Sequence, residues 1–385
     1  MVMTKLRLLS ADSHIVEPPD LWTSRIDPKY KSRAPRVVRR GEADWWIVEK
    51  NQSVGSLGNT THAGDRYRTD KPHEISLKDR WESVRRGAYE PDEAIKDMDI
   101  DGVEGAVMFP TKGVGGLWLV EDPQLFSAIC KTYNNWIAEF CKQHPKRLLG
   151  AAMINLDNVP EAVEELRRAK KLGLRAAIIT IHPAHERGYF RSEYDPFWAV
   201  AQDLDMPLCL HSGSNRTVRD GLPMDHYEQA DPHEPLDIVY PNGDHWIRRS
   251  LTGLIMSKVF ERYPRLKIIS IENQAGWAGH WLYRMDMRYR DRPTTWGRFK
   301  GDAKPSDFFH RNIFVSFQDD WTAVATRKMI GVDNLMWGSD YPHSEGTWPD
   351  SQRVVHEIFH DVPEGELRKI TYLNCARVFG FDMAS

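Results

Sequence analysis

The 385-residue chain has few cysteines, no long apolar run and almost no net charge, and each scarcity removes a class of function. Cys130, Cys141, Cys209 and Cys375 are widely spaced and form no C-x-x-C pair. Neither a zinc knuckle nor a dithiol redox motif is indicated, and reduced thiols in a cytoplasmic protein are expected. No apolar stretch reaches about 18 residues, so no membrane-spanning helix is expected. The N-terminal MVMTKLRLLSADSH holds one short apolar run without a cleavage signal and reads as a first strand. A formal net charge of −3 offers no bulk attraction to nucleic acid or anionic lipid. A G-x-G-x-x-G after a strand is also missing, which argues against a dinucleotide site.

What is present is globular: 41% hydrophobic and 28% charged residues, enough for a core without disulfides. Eight apolar runs of strand length occur, at 5–11, 103–109, 147–154, 174–180, 206–211, 266–271, 312–317 and 333–339. Continuous apolar runs suit strands buried on both faces. Segments with apolar residues at three- and four-residue spacing lie between them, such as DPQLFSAICKTYNNWIAEFCKQHP. NVPEAVEELRRAKKLG places Pro160 in a first turn and Gly173 at a C-cap, and Asp195 is a candidate N-cap before Pro196. Alternating strands and helices imply βα units, and eight of them favour a closed α/β (β/α)₈ (TIM) barrel. Residues 15–95 and 212–250 interrupt the repeat after the first and fifth runs. They read as lid or substrate-shaping insertions in one domain spanning 1–385, at the C-terminal mouth of the barrel.

Candidate chemistry collects at the ends of these runs. Asp12 and His14 stand two residues apart, so a strand points both the same way. His211 closes the fifth run, Glu272 the sixth and Asp340 the eighth. A histidine ending a buried strand is costly unless its nitrogens are paired. Barrel geometry brings these distant residues to one mouth. Imidazole mixed with carboxylate suits one divalent transition metal (zinc, manganese or iron), with room for a second ion. His343 follows Asp340 as a candidate catalytic or supporting group. Arg216 is a candidate for a substrate carboxylate, and Trp277 and Trp321, from a pool of 14 tryptophans, for an apolar or aromatic substrate. Arg219, His226, His233 and His245 read as solvated loop residues.

Three motifs, ADSHIVEPPDLW, PLCLHSG and LMWGSDYPHSEGTWPDS, resemble the amidohydrolase superfamily. More narrowly they resemble its amidohydrolase-related branch, which includes aminocarboxymuconate-semialdehyde decarboxylase and resorcylate-type decarboxylases. The resemblance implies a distorted barrel and a divalent metal held by Asp12, His14, His211 and Asp340, and it makes dimers or higher homo-oligomers an expectation. This chain departs from the pattern in having D-x-H where many relatives have H-x-H or E-x-H. It also has Glu272 where decarboxylase relatives have a histidine, and no strand-four lysine for a second metal, His182 being the nearest polar candidate. These features rank hydrolysis of an amide, ester or thioester by a metal-activated water first. Asp340 would then be the acid/base, with Glu272 either an additional metal ligand or a second acid/base. Non-oxidative decarboxylation of an aromatic or unsaturated acid ranks second, and a catalytically inactive binding barrel third.

Overall fold

The computed structural model describes residues 5–49, 52–60, 63–64, 79–183, 187–216 and 240–382. Among them are eleven strands. Eight form one parallel sheet in the order β1 (Leu8–Ile15), β5 (Val103–Pro110), β6 (Leu148–Met153), β7 (Ala176–Ile179), β8 (Leu208–His211), β9 (Ile268–Ile271), β10 (Ile313–Phe317) and β11 (Leu335–Trp337). These are the eight apolar runs of the sequence, in sequence order. Every residue of β6 to β11 is buried. That is the burial expected where helices cover one face of each strand and the barrel interior the other.

The ring closes just beyond the last strand. The backbone N–H of Asp340 donates to Asp12 O at 2.8 Å and that of His14 to Tyr341 O at 2.5 Å. Ser339 N–H donates to Ser10 Oγ at 2.9 Å. Closure needs glycine at position 338, because a Cβ there would sit 2.7 Å from Asp12 Cβ and 3.0 Å from Asp12 N.

Helices fall where the periodicity puts them. The helix Pro123–Cys141 is capped by Asp122, whose side chain accepts from the amides of residues 124 and 125. Val159–Lys171 is capped by Asn158 and followed by Gly173 at φ +90°. Two details differ from expectation. Asp195 is the first residue of its helix and not its cap; its carboxylate pairs with Arg262 at 2.9 Å. The C-terminal segment is also not one helix, since a π-turn over Lys369–Leu373 separates Glu364–Arg368 from Asn374–Phe379.

The insertion after β1 contains a small antiparallel sheet of β2 (Arg36–Arg40), β3 (Ala43–Val48) and β4 (Gln52–Ser56). Trp46, Val48 and Val54 belong to the same apolar cluster as the barrel strands, and Gly116 lies against Val54.

Candidate metal centre

β1 delivers Asp12 and His14, with Ser13 turned the other way to bond Ser10 and Ser339. β8 ends in His211, Glu272 follows β9 directly, and Asp340 lies just beyond β11 after Gly338 and Ser339. Residues 197 positions apart thus meet: His14 Nε2 and His211 Nε2 are 3.2 Å from each other. Asp12 Oδ1 lies 3.4 Å from the former and 3.5 Å from the latter. Glu272 Oε2 lies 3.6 and 3.5 Å from the same two atoms, and Asp340 Oδ1 is 3.4 Å from His14 Nε2. His343 completes the group, its Nδ1 3.0 Å from Asp340 Oδ1 and its ring 4.0 Å from that of His14. Glu272, Gln274 and Asp340 all hold left-handed backbone, at φ +56°, +51° and +56°. Such conformations cost energy in non-glycine residues and gather at functional sites.

Two observations test whether this group suits a cation. First, Nδ1 of His14 faces Pro110 O at 3.0 Å and Nδ1 of His211 faces Ser212 O at 2.9 Å. Carbonyls only accept, so both Nδ1 atoms carry the proton and both Nε2 lone pairs converge. Second, both carboxylate oxygens of Asp12 and of Asp340 are buried without a hydrogen-bond donor. Buried lone pairs that face one another with no donor fit a bound divalent ion. Two overlapping sets of four have ligand atoms within 4.8 Å of one another: Asp12, His14, His211 and Glu272, and His14, Glu272, Asp340 and His343.

The electrostatics agree. Burial raises Asp12, but the two imidazoles of His14 and His211, 3.4 and 3.5 Å away, outweigh it and hold this carboxyl below its usual range. Burial, then the charge of Glu272, push Asp340 well up. Burial lowers His14, yet Asp12 and Glu272 overcome it and raise this imidazole well above its ordinary value. His343 is driven down by burial and by His14.

Glu272 is the member of this cluster that reaches a cavity of about 480 Å³, whose lining also includes Asn273, Trp246, Trp277, Asn215, Gln318 and Glu345. Trp277, a candidate for substrate contact, is among the residues lining it. Two expectations need correction. Arg216 points away from the cavity, donating to Trp118 O at 2.7 Å and Val120 O at 2.6 Å, pairing with Asp157 and lying over the ring of Phe126. A guanidinium only 6% exposed must satisfy its donors locally, and the 116–120 turn supplies the acceptors. Trp321 is 68% exposed at the start of its helix and does not line the cavity. His182 bonds Ser250 Oγ at 3.0 Å and stacks on Trp246, supporting the wall. Cys209 is fully buried and His245 is exposed, whereas Arg219, His226 and His233 lie outside the described residues. Sequence reasoning missed Asn215, Asn273 and Gln318. All three sit just past β8, β9 and β10, so the strand-end rule that found the metal candidates would have found them too.

Comparison with known proteins places these features. The profile of the family described as Amidohydrolase matches residues 80–381. The gamma-resorcylate decarboxylase of Rhizobium sp. (strain MTP-10005) is 24% identical over 329 residues, covering 80% of this chain and 92% of that one. Decarboxylase orsB of Emericella nidulans is 28% identical over 225 residues, covering 55% of this chain and 64% of its own length. Among solved structures, amidohydrolase map2389c of Mycobacterium avium subsp. paratuberculosis K-10 superposes with a TM-score of 0.80 at 22% identity, covering 98% of this chain and all of that one. The dihydroxybenzoic acid decarboxylase of Polaromonas sp. JS666, solved with manganese and 2-nitroresorcinol, gives 0.62 at 18% identity over 97% of this chain and 96% of its own. No helix among the described residues is long and apolar enough to cross a membrane.

Proposed function

Because the chain belongs to the amidohydrolase family, and is thus a metal-dependent enzyme, we propose that it is a carboxy-lyase that removes carbon dioxide from a small aromatic acid without oxidation. The observation that carries this reading is that curated relatives spanning up to 80% of the chain are decarboxylases of resorcylate type. It reverses the ranking drawn from the sequence, which put hydrolysis first.

A divalent ion bound by Asp12, His14, His211 and Asp340, with Glu272 beside them, would supply Lewis acidity toward the substrate carboxylate and a neighbouring oxygen. The chain's own groups do the rest. Trp246 and Trp277 provide aromatic walls in a cavity that fits a single substituted ring. The bond between ring and carboxylate breaks and its electron pair stays on the ring carbon. Asp340, in its protonated form, gives that carbon its proton, so the carboxylate and one proton become the arene and carbon dioxide. His343 holds the Asp340 carboxyl in place through its 3.0 Å contact, with Thr111 Oγ1 3.4 Å from its other nitrogen. Residues 15–95 and 212–250 shape the mouth in the same reading. The described support is the packing of the β2–β4 sheet against the turn after β5.

Glu272 favours a second reading. A third carboxylate beside the two imidazoles disfavours an anionic substrate and suits a neutral ester, lactone or amide attacked by water. One experiment separates the two. Manganese- or zinc-loaded protein is incubated with hydroxybenzoic acids in D₂O and with aryl esters and lactones. Decarboxylation gives carbon dioxide and a deuterium on the ring carbon that carried it. Ester or lactone cleavage with no carbon dioxide from any acid would replace the carboxy-lyase by a hydrolase.

A further inference from the structure

Glu272 is the first residue after β9, and the turn that carries it into the helix Trp277–Asp291 is strained at both Glu272 and Gln274. Left-handed backbone in such residues persists only where the surroundings hold it. The near end of the turn is held by Asn273, whose Nδ2 donates to Ile271 O at 2.7 Å. The Glu272 amide adds a long contact to Ser316 Oγ, at 3.4 Å.

The far end is held from the next strand. Asp320 stands three residues after β10, at the wall of the cavity. Its Oδ2 accepts from the amides of Ala275 at 2.9 Å and Gly276 at 2.7 Å. Its Oδ1 accepts from the amide of Ala323 at 3.0 Å and from the Thr322 hydroxyl, and so caps the helix Trp321–Ile330. A helix cap needs one side-chain oxygen. Here the second oxygen serves the neighbouring turn. Burial raises Asp320, but the four donors outweigh it and hold the carboxyl below its ordinary range. The approach of the two loops is also close enough to require glycine. A Cβ at position 276 would overlap Thr322 Oγ1 and lie 3.2 Å from Asp320 Oδ1. Trp277 hangs from the same turn, its Nε1 facing Asn273 O and Gln274 O at 3.0 Å each.

We propose that Asp320 is a positioning residue of the metal centre: it anchors the turn after β9 and thereby sets the Glu272 carboxylate against the Nε2 atoms of His14 and His211. The inference rests on the metal centre and not on which reaction that centre serves.

The test is a double-mutant cycle on Asp320→Asn and Glu272→Gln. Asparagine keeps one oxygen, which caps a helix as well as aspartate does, and leaves the amides of residues 275 and 276 facing a donor. Manganese affinity is read by competition with a chromophoric chelator, and terephthalate affinity of the manganese-loaded protein by calorimetry. Urea unfolding is read beside them. Glu272→Gln leaves Asp12, His14, His211 and Asp340 around the ion, so manganese binding stays measurable. Asp320→Asn is expected to change at least one of the two affinities by about tenfold or more when Glu272 is present, and by about twofold or less when it is glutamine. A residue that only stabilises the fold would lower the urea midpoint and shift both affinities equally in the two backgrounds. If Asp320→Asn does not fold, Gly276→Ala, which pushes the same two loops apart, replaces it in the cycle. Equal effects with and without Glu272 overturn the proposal and leave the metal centre standing. No manganese bound by the unmodified protein overturns the metal centre and the proposal with it.

Discussion

Replacing Gly338 with alanine would place one methyl group against the backbone that carries Asp12. The new Cβ would lie 2.7 Å from Asp12 Cβ, 3.0 Å from its N and 3.3 Å from its Cα, where ordinary contact begins at 3.4 Å. Relief requires β1 and the end of β11 to part by about 1 Å, since overpacked sites relax by backbone shifts. β1 cannot give way freely, because its other edge is laddered to β5 from Leu8 to Ile15. The steric term is about 1–3 kcal/mol of stability. The effect on the metal should be larger in proportion, because ligand distances tolerate only about 0.2 Å and disturbance of ligand support costs about 10–100-fold in affinity. Two measurements check this: urea unfolding of the metal-free protein, and manganese affinity by competition with a chromophoric chelator. Gly365→Ala is the control, since nothing lies within 4 Å of a Cβ there. Loss of stability in Gly338→Ala with manganese affinity within about twofold of the parent would refute the claim that this glycine exists to seat Asp12.

Asp340→Asn should lower turnover by about 10²–10⁴-fold while leaving the circular dichroism spectrum unchanged, and full activity would remove Asp340 from the mechanism. Arg216→Met should destabilise the fold, because it removes an ion-pair partner of Asp157 and the guanidinium donors to two buried carbonyls. It should leave the ranking of carboxylate and neutral ligands unchanged, and a changed ranking in calorimetric titration would return Arg216 to the substrate site. Burial lifts the Asp101 carboxyl to about 6 against the hydrogen bonds it receives from Ser351. The native state therefore keeps a proton between pH 4 and 6 that the unfolded chain releases. Stability should fall by about 3 kcal/mol as pH rises through that window and stay level above it. Urea unfolding at pH 4 to 7 should show this slope in the parent and not in Asp101→Asn; the same slope in both would assign it elsewhere.

Much of this architecture is legible in the order of residues because a barrel strand is buried on both faces. Runs such as LRAAIIT and LKIISI have no polar alternation to confuse with a surface strand. The small sheet of β2 to β4 was not legible. RVVRR and ADWWIV mix arginine with tryptophan and lie in a segment otherwise rich in Pro and Arg, so their pairing is decided by packing of Trp46 and Val54 against the barrel. The π-turn at Lys369–Leu373 was equally hidden, because a one-residue insertion leaves no compositional mark.

The metal candidates were legible for a different reason. Each is a polar residue that ends a run of apolar ones, and a closed ring converts that position into proximity. Arg216 misled because sequence records a charge without its direction. Four residues after Ser212, it reaches back under the loop to carbonyls at 118 and 120. That turn of one side chain changes the chemistry of the site. With Arg216 facing in, three carboxylates, a divalent ion and a guanidinium would sum to zero, and a second anion could enter. With it facing out, Glu272 is uncompensated. If Glu272 binds the metal it lowers the positive charge felt by a substrate carboxylate, and if it stands free it repels one. Exchange of Glu272 for glutamine leaves the shape and removes the charge. A gain in affinity for terephthalate in that variant, with manganese affinity retained, would assign Glu272 to substrate selection. Loss of manganese would assign it to the metal.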